Sequence, residues 1–191
     1  MRELLAFPES RAADDLRLLV DGEVVREGLI VSTCNRVEVV AATTSDQFNQ
    51  GVERITNFFS QSKTLARESF LPHLYQHVDD QAVRHLFRVT SSLDSMVIGE
   101  PQVLGQVRRA YSHALAAGTA GRVLNRLVHH AFHVAKRVRA ETGIAASAVS
   151  ISYMAVELGK KIAPAFREML EKKFKFGVGT HYAEMPGEQK K

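Results

Sequence analysis

Apolar residues recur at two different spacings, and the change of spacing divides the chain. In the first third, short helical patterns alternate with extended ones; from Asp79 onward, apolar residues recur every three or four positions almost throughout. Spacing of three or four places side chains on one helix face, whereas strands alternate with a period of two. The pattern therefore predicts an α+β protein, with a small antiparallel sheet and packed helices, followed by a mostly helical C-terminal half.

The first third predicts a pair of strands flanked by helices. Residues 28–32 and 37–43 are apolar, β-branched runs of strand length, separated by a polar turn. Helical spacing in residues 8–20 predicts a helix before the strands, and residues 45–59 predict one after them, fading in the polar stretch that follows. Residues 73–77 predict a further short strand.

The pattern from Asp79 onward predicts helices that are bounded by capping residues, glycine and proline. They run from Asp79 or Asp80 to about residue 89, over 101–117, over 122–142, and from Ser147 or Ser150 to about residue 162, the last interrupted at Pro164. Residues 171–191 are Lys-rich and without a clear period, so we expect a fraying tail.

Composition narrows the class of protein. With 191 residues, 45% hydrophobic and 24% charged, the chain is typical of a soluble globular protein of one or two domains. The lone cysteine, Cys34, excludes an intramolecular disulfide framework and a multi-cysteine zinc site, and it suits a reducing compartment. No apolar run reaches the length of a membrane span and the N-terminus does not look like a signal peptide, so we expect a cytoplasmic protein without a membrane partner.

The net charge of +4 is mild, so a nucleic-acid surface would require clustered cations. The predicted helix over residues 122–142 has such a cluster on one side, at spacings of three or four: Arg122, Arg126, His129, His133, Lys136 and Arg137. Phosphate binding and an ordinary solvated face both explain this pattern. No carboxylate falls among the histidines, so we expect no metal site.

Cys34 lies in the polar turn between the two predicted strands, beside Thr33, Asn35 and Arg36. A thiol attacks carbonyl carbon as the thiolate, which a neighbouring guanidinium favours, and hydroxyl and amide groups could hold a polar substrate. A small buried hydrophobe at a strand end is the competing interpretation. His85, on a predicted helix, is a second candidate, because an imidazole can carry protons near neutral pH. The competing interpretation is a structural role.

These residues fall within longer stretches that resemble the glutamyl-tRNA reductase family. The stretches are STCNRVE at 32–38, HLFRV at 85–89, SLDSMVIGEPQVLGQ at 92–106, AKRVRAET at 135–142 and AVSIS at 148–152. They occur in the family's order, and the resemblance as a whole covers roughly residues 2–162, which is far more specific than one short motif. The chain resembles the N-terminal catalytic domain and the start of the connecting helix of that family.

The resemblance implies a two-step reduction in tetrapyrrole (porphyrin) biosynthesis. A cysteine matching Cys34 attacks the ester of glutamyl-tRNA and holds glutamate as a thioester, which hydride from NADPH reduces to glutamate-1-semialdehyde. The resemblance also implies a catalytic role for His85. Two further partners are implied: the downstream semialdehyde aminomutase and, because family members are homodimers, a second copy of the chain. The residues that it implies for substrate binding are Thr33, Asn35, Arg36, Ser95, Glu100, Pro101, Gln102 and Gln106.

The chain also departs from the family pattern. Family members begin with a strand carrying a Gly-x-Asn-His-Lys-Thr-Ala-Pro motif and continue into a Rossmann NADPH domain and a dimerisation domain, all of which we expect this chain to lack. Residues 177–179, Gly-Val-Gly, lack the third glycine of a dinucleotide loop.

We expect a catalytic domain over residues 1–144 without its first strand, a connecting helix over 145–170 and a divergent or disordered tail over 171–191. Acyl transfer is then the most that this chain performs. The alternative is a fragment that binds tRNA or a protein partner without chemistry.

Overall fold

The computed structural model describes residues 1–33 and 35–145, and within these ranges the chain forms seven α-helices and two strands. In chain order they are α1 (Arg2–Leu5), α2 (Ala12–Leu19), β1 (Glu27–Ser32), β2 (Val37–Ala42), α3 (Phe48–Lys63), α4 (Arg67–Phe70), α5 (Asp80–Thr90), α6 (Pro101–Ala117) and α7 (Arg122–Glu141). Short 3-10 turns occupy Glu9–Arg11, Ser45–Gln47, Leu71–His73 and Gly143–Ala145. The predicted α+β class, with a small antiparallel sheet and packed helices, is confirmed, and the described residues from Asp80 onward are mostly helical.

The two strands form an antiparallel hairpin whose turn is held by a threonine. Ser32 pairs with Val37, so residues 33–36 make the connection. The Thr33 hydroxyl oxygen accepts the backbone N–H groups of Asn35 and Arg36 at 3.2 and 3.1 Å, and the Thr33 N–H donates to the Arg36 carbonyl at 2.8 Å. Threonine stabilises turns in this way, and the turn fixes where Arg36 leaves the sheet.

Strand β1 lies at the centre of the core, in contact with α2, α6 and α7. On the edge of β1 away from β2, Gly28 and Thr119 form two hydrogen bonds. The Gly28 N–H donates to the Thr119 carbonyl at 2.9 Å, and the Thr119 hydroxyl donates to the Gly28 carbonyl at 3.0 Å. A Cβ atom at Gly28 would lie 2.6 Å from a Val20 methyl, so the absence of a side chain allows the end of α2 to approach the strand. The fully buried side chains around β1 include Leu16, Leu19, Leu29, Val31, Val107, Leu124 and Val128.

A strand residue caps the longest helix. The two carboxylate oxygens of Glu27 accept the backbone N–H groups of Val123 and Leu124, at 3.0 and 2.7 Å. The first N–H groups of a helix have no partner within the helix, and a negative charge there also complements the helix dipole. Glu27 therefore ties the start of α7 to the sheet.

One predicted element is wrong and one is too short. Residues 73–77 form no strand: Pro72 lies in the 3-10 turn Leu71–His73, and the segment after it is held by the Tyr75 hydroxyl on Glu38 instead of a backbone ladder. Helix α3 continues through the polar residues to Lys63, whose ammonium donates to the Ala6 carbonyl at 2.6 Å and lies 3.5 Å from the Phe7 ring centre.

Several predictions fall outside the described residues. They concern Cys34, the helix from Ser147 or Ser150, the connecting helix over 145–170 beyond Ala145, and the tail over 171–191 with its Gly-Val-Gly sequence. In the described ranges, none of the helices combines the length and apolar character needed to cross a bilayer.

Candidate active site

Glu38 is the centre of a group of polar side chains at the end of the sheet near the hairpin turn. Its side chain is 6% exposed, and one oxygen, Oε1, accepts the Arg36 guanidinium at 3.0 Å and the Tyr75 hydroxyl at 2.5 Å. The same oxygen lies 3.0 Å from His85 Nε2. Buried carboxylates persist in proteins when paired and hydrogen-bonded, and Glu38 has both kinds of partner.

His85 lies on α5 with its ring held from several sides. Besides the Glu38 contact, the Tyr75 ring stands edge-on to it with ring centres 5.3 Å apart, and the His77 ring centre lies at 4.6 Å. When Nε2 carries the ring proton of a neutral imidazole, its N–H group donates a hydrogen bond to the carboxylate, and Nδ1 is left to accept a proton. The carboxylate thus favours one tautomer and one ring orientation.

Arg36 joins this group to the loop between α5 and α6. Its guanidinium, 16% exposed, donates to an Asp94 carboxylate oxygen at 2.9 Å and also to the Asp94 backbone carbonyl. Burial alone disfavours a charged guanidinium, but the hydrogen bonds to Asp94 and Glu38 outweigh it and raise the pKa of Arg36 above its ordinary value. The hydrogen bond from Arg36 in turn lowers the pKa of Asp94. Arg36 is therefore a fixed cation that holds a second, more exposed carboxylate.

The Tyr75 hydroxyl remains protonated over a wide pH range. More than half of the Tyr75 residue is exposed, but its hydroxyl is partly withdrawn from water. This desolvation and the hydrogen bond to the Glu38 carboxylate both disfavour the phenolate, and they raise the pKa of Tyr75 well above its ordinary value. The hydroxyl therefore acts as a hydrogen-bond donor that holds Glu38 in place.

An open cleft of about 610 Å³ lies over these groups. Its lining comes from the loop before α5, from α5 itself and from the loop before α6: Tyr75, His77, Gln81, Arg84, His85, Arg88 and Asp94. The walls carry two arginines, Arg84 and Arg88, and two histidines, His77 and His85, against one acid, Asp94. Such a cleft suits a small anionic group.

The structure brings some of the predicted site residues together. Arg36 and His85, 49 positions apart in the chain, share the Glu38 oxygen, and Ser95 directly follows the Asp94 that binds Arg36. Asn35 is exposed in the turn beside Arg36, while the Thr33 hydroxyl is engaged with the backbone of that turn. Cys34 itself lies outside the described residues.

The other predicted residues lie at the start of α6. Glu100 is buried, Pro101 and Gln102 are exposed and Gln106 is half-buried. In the described part of the chain, no side-chain hydrogen bond joins these four to the Glu38 group. Glu100 is held through its backbone carbonyl, which accepts the Ser92 hydroxyl at 2.7 Å. Gly99 before it has a φ of +83°, and a Cβ there would lie 2.5 Å from the Ile144 carbonyl oxygen.

Sequence reasoning missed Glu38, Tyr75 and Asp94 as site residues. Glu38 had a usable signal, because it is the one acid in an otherwise apolar strand of six residues. Tyr75 had no usable signal, because the sequence predicts a strand over residues 73–77. Asp94 follows a helix, where a polar residue is ordinary.

The described residues offer no evident place for a nicotinamide dinucleotide. Such cofactors bind where a Gly-rich turn joins a parallel strand to a helix, whereas the sheet in these ranges is an antiparallel pair joined by a four-residue turn. Nor do residues 1–33 and 35–145 contain a group of three His, Cys, Asp or Glu side chains arranged to hold a metal ion.

A family model for the N-terminal domain of glutamyl-tRNA(Glu) reductase matches residues 1–142. The chain belongs to this family. The glutamyl-tRNA reductases of Trichlorobacter lovleyi and Geobacter metallireducens are each 51% identical to it over 162 residues, which is 85% of this chain and 37% of each relative. The chain thus spans little more than a third of the length of the curated relatives it matches.

A solved structure agrees with the family assignment. Glutamyl-tRNA reductase from Methanopyrus kandleri superposes with a TM-score of 0.57 at 32% identity, covering 84% of this chain and 37% of that one. The helices and the antiparallel strand pair described above are therefore those of a glutamyl-tRNA reductase N-terminal domain.

Proposed function

We propose that this domain carries out the acyl-transfer step of a glutamyl-tRNA reductase. Cys34 Sγ, as the thiolate, attacks the carbonyl carbon of the ester that joins glutamate to the terminal ribose of tRNA. The carbon–oxygen bond to the ribose breaks, the ribose oxygen takes up the proton that the thiol has lost, and glutamate remains as a thioester on Cys34. The proposal rests on family membership and on the Glu38–His85 pair.

His85 is the proposed proton carrier for this step. With Nε2 directed at Glu38 Oε1, 3.0 Å away, the opposite ring nitrogen is left to accept the thiol proton and return it to the leaving ribose oxygen. A carboxylate that holds an imidazole in one tautomer is the arrangement used by nucleophilic hydrolases. In this scheme Glu38 is a positioning residue, because it acts through His85 and Arg36.

Arg36 is the proposed binding group for a carboxylate of the glutamyl moiety. The Asp94 carboxylate, 2.9 Å from the guanidinium and 39% exposed, has the same chemistry as the group to be bound. Substrate binding is then an exchange in which the glutamyl carboxylate replaces Asp94 on Arg36. A guanidinium binds carboxylates through paired, charge-assisted hydrogen bonds, which favours such an exchange.

The remaining residues proposed for substrate binding act around this point. Asn35 and Ser95 adjoin Arg36 and Asp94, and Thr33 contributes by holding the turn. Glu100, Pro101, Gln102 and Gln106 are proposed to receive a more distant part of the substrate at the start of α6.

Reduction of the thioester by NADPH to glutamate-1-semialdehyde, for porphyrin biosynthesis, is the proposed continuation. Because the described residues do not fit a nicotinamide cofactor, no residue here is assigned to that step. The semialdehyde aminomutase and a second copy of the chain are proposed partners of the complete reaction.

The experiment is to mix the full chain with glutamyl-tRNA, quench with acid and measure the intact mass. We expect the mass of one glutamyl group to be added at Cys34, to be absent from Cys34→Ser and to form much more slowly in His85→Ala. His73→Ala is the matched control, because His73 is exposed outside the cleft and should leave the rate unchanged. If wild type and Cys34→Ser show no adduct and equal loss of the ester, the acyl-transfer proposal is wrong and the non-catalytic binding fragment is favoured.

A further inference from the structure

Charge is segregated along the chain. Residues 101–140 contain seven of the 25 Lys and Arg residues and none of the 21 Asp and Glu residues. The rest of the chain therefore has 18 cations and 21 acids, so this one segment reverses the sign of the net charge. The segment corresponds to α6, the turn after it and nearly all of α7.

On α7 the cations lie along the exposed side. Arg122, Arg126 and Lys136 are all exposed, with exposed histidines at 129 and 133 between them, and we call these five residues the basic face. The opposite side is the one that packs into the core, through Leu124, Val128, Ala131 and Ala135. In the described part of the chain, the one ion pair on α7 joins Arg137 to Glu141 at 2.8 Å, which leaves the cations of the basic face without a carboxylate there.

Helix α6 adds a further cation beside this face. The Arg108 guanidinium lies over the Phe132 ring, 5.5 Å from its centre, and Phe132 is one helical turn from both His129 and Lys136. Stacking on the ring holds the exposed guanidinium in place without neutralising its charge. Cations from two helices therefore adjoin one surface.

Folding alone does not explain this arrangement. Arg122 and Arg126 stand four positions apart, where like charges repel across a helix turn. Arg122 is also the first residue of α7, where the helix dipole favours acids and disfavours cations. A solvated helix face with only a structural role is better served by mixed charges.

We propose that the basic face of α7, with Arg108, binds the phosphate backbone of a helical RNA stem. Arg126 and Lys136 are about 15 Å apart along the helix, so their cations can reach several consecutive phosphates. RNA helices are recognised mainly through shape and backbone contacts, which require aligned cations rather than base-reading groups. The inference rests on the proposed function for its choice of partner, a tRNA. It places the stem on a surface made of residues other than those that line the cleft over His85.

The test is the binding of deacylated tRNA to the full 191-residue chain at a series of salt concentrations. Arg126→Gln with Lys136→Gln removes two cations from the basic face. Arg17→Gln with Arg26→Gln is the matched control, since it removes two exposed cations from elsewhere. We expect the first pair to weaken binding about 25- to 60-fold at about 0.1 M salt and to reduce the slope of log K against log salt by about 1.4–1.8, and the control to change both little.

Equal affinities for the two double variants would overturn the inference. So would binding of polyglutamate as tightly as tRNA, because the face would then bind acidic polypeptides in general. The result is separable from acyl transfer, because deacylated tRNA requires no chemistry: His85→Ala should bind it like wild type. If only the α7 variant loses tRNA binding and wild type forms no glutamyl adduct, the basic face binds tRNA but the proposed acyl transfer is wrong. If wild type forms the adduct and the α7 variant binds tRNA normally, acyl transfer is supported and the RNA-binding surface is wrong.

Discussion

Replacing Glu38 with Gln tests whether the buried carboxylate holds the site together. Its Oε1 atom has three neighbours that donate to it, Arg36, Tyr75 and His85, at 3.0, 2.5 and 3.0 Å. Hydrogen bonds to a charged group contribute about 1.5–3 kcal/mol each and neutral ones about 0.5–1.5 kcal/mol. Gln retains the shape, and its carbonyl oxygen can accept the same three groups, but the negative charge that strengthens these hydrogen bonds is lost. We therefore expect the free energy of unfolding to fall by about 2–4 kcal/mol, since Arg36 keeps Asp94 as a partner.

Urea unfolding followed by circular dichroism measures this loss. With a typical m-value near 2 kcal/mol/M, the midpoint should fall by about 1–2 M. Glu53→Gln is the matched control, because Glu53 is also bonded to an arginine, Arg67 at 2.5 and 2.8 Å, but its side chain is 55% exposed. Exposed pairs contribute little, so the control midpoint should hardly move. A Glu38→Gln midpoint equal to that of Glu53→Gln would refute the argument from burial.

Three further outcomes are expected. Tyr75→Phe should lower the free energy of unfolding by about 1–2 kcal/mol near neutral pH. Desolvation and Glu38 raise the Tyr75 pKa above its ordinary 10.0, so the contribution of the hydroxyl is complete below pH 10 and is lost as the pH rises further. The urea midpoints of wild type and variant should therefore converge in alkali. Phe70→Ala, at a side chain with 0% exposure, should lower the free energy of unfolding by about 3–5 kcal/mol, and an unchanged thermal midpoint would contradict close packing there. Asp94→Asn should lower the glutamyl-tRNA concentration for half-maximal acylation several-fold because it frees Arg36, whereas an increase would show that Asp94 assists binding.

Much of the helical part could be predicted because its ends are determined locally. Helix α6 begins at Pro101, which needs no N–H partner in the first turn, and ends before Gly118, whose φ of +74° suits a left-handed cap. The strand pair was equally local, since the turn between the strands is closed by its own Thr33. These elements follow from residues within a few positions of each other.

The site could be predicted only in part, because its contacts join distant positions. His85 and Glu38 are 47 residues apart, and Arg36 and Asp94 are 58 apart, so no local spacing indicates that they meet. The sequence predicts a strand over residues 73–77, whereas in the structure the Tyr75 hydroxyl of this segment contacts Glu38, a residue 37 positions away. Family resemblance identified Arg36 and His85, and the structure adds the carboxylate between them.

If Glu38 and His85 act together on Cys34, as we propose, the alkylation rate of that thiol should depend on both residues. Cys34 is the only cysteine, so the intact mass after iodoacetamide treatment at pH 7 reports on this one sulfur. We predict that wild type reacts faster than free cysteine, that His85→Ala abolishes most of the excess rate, and that Glu38→Gln reduces it in a chain that is still folded. Equal rates in wild type, both variants and free cysteine would show that Glu38 and His85 do not act on Cys34.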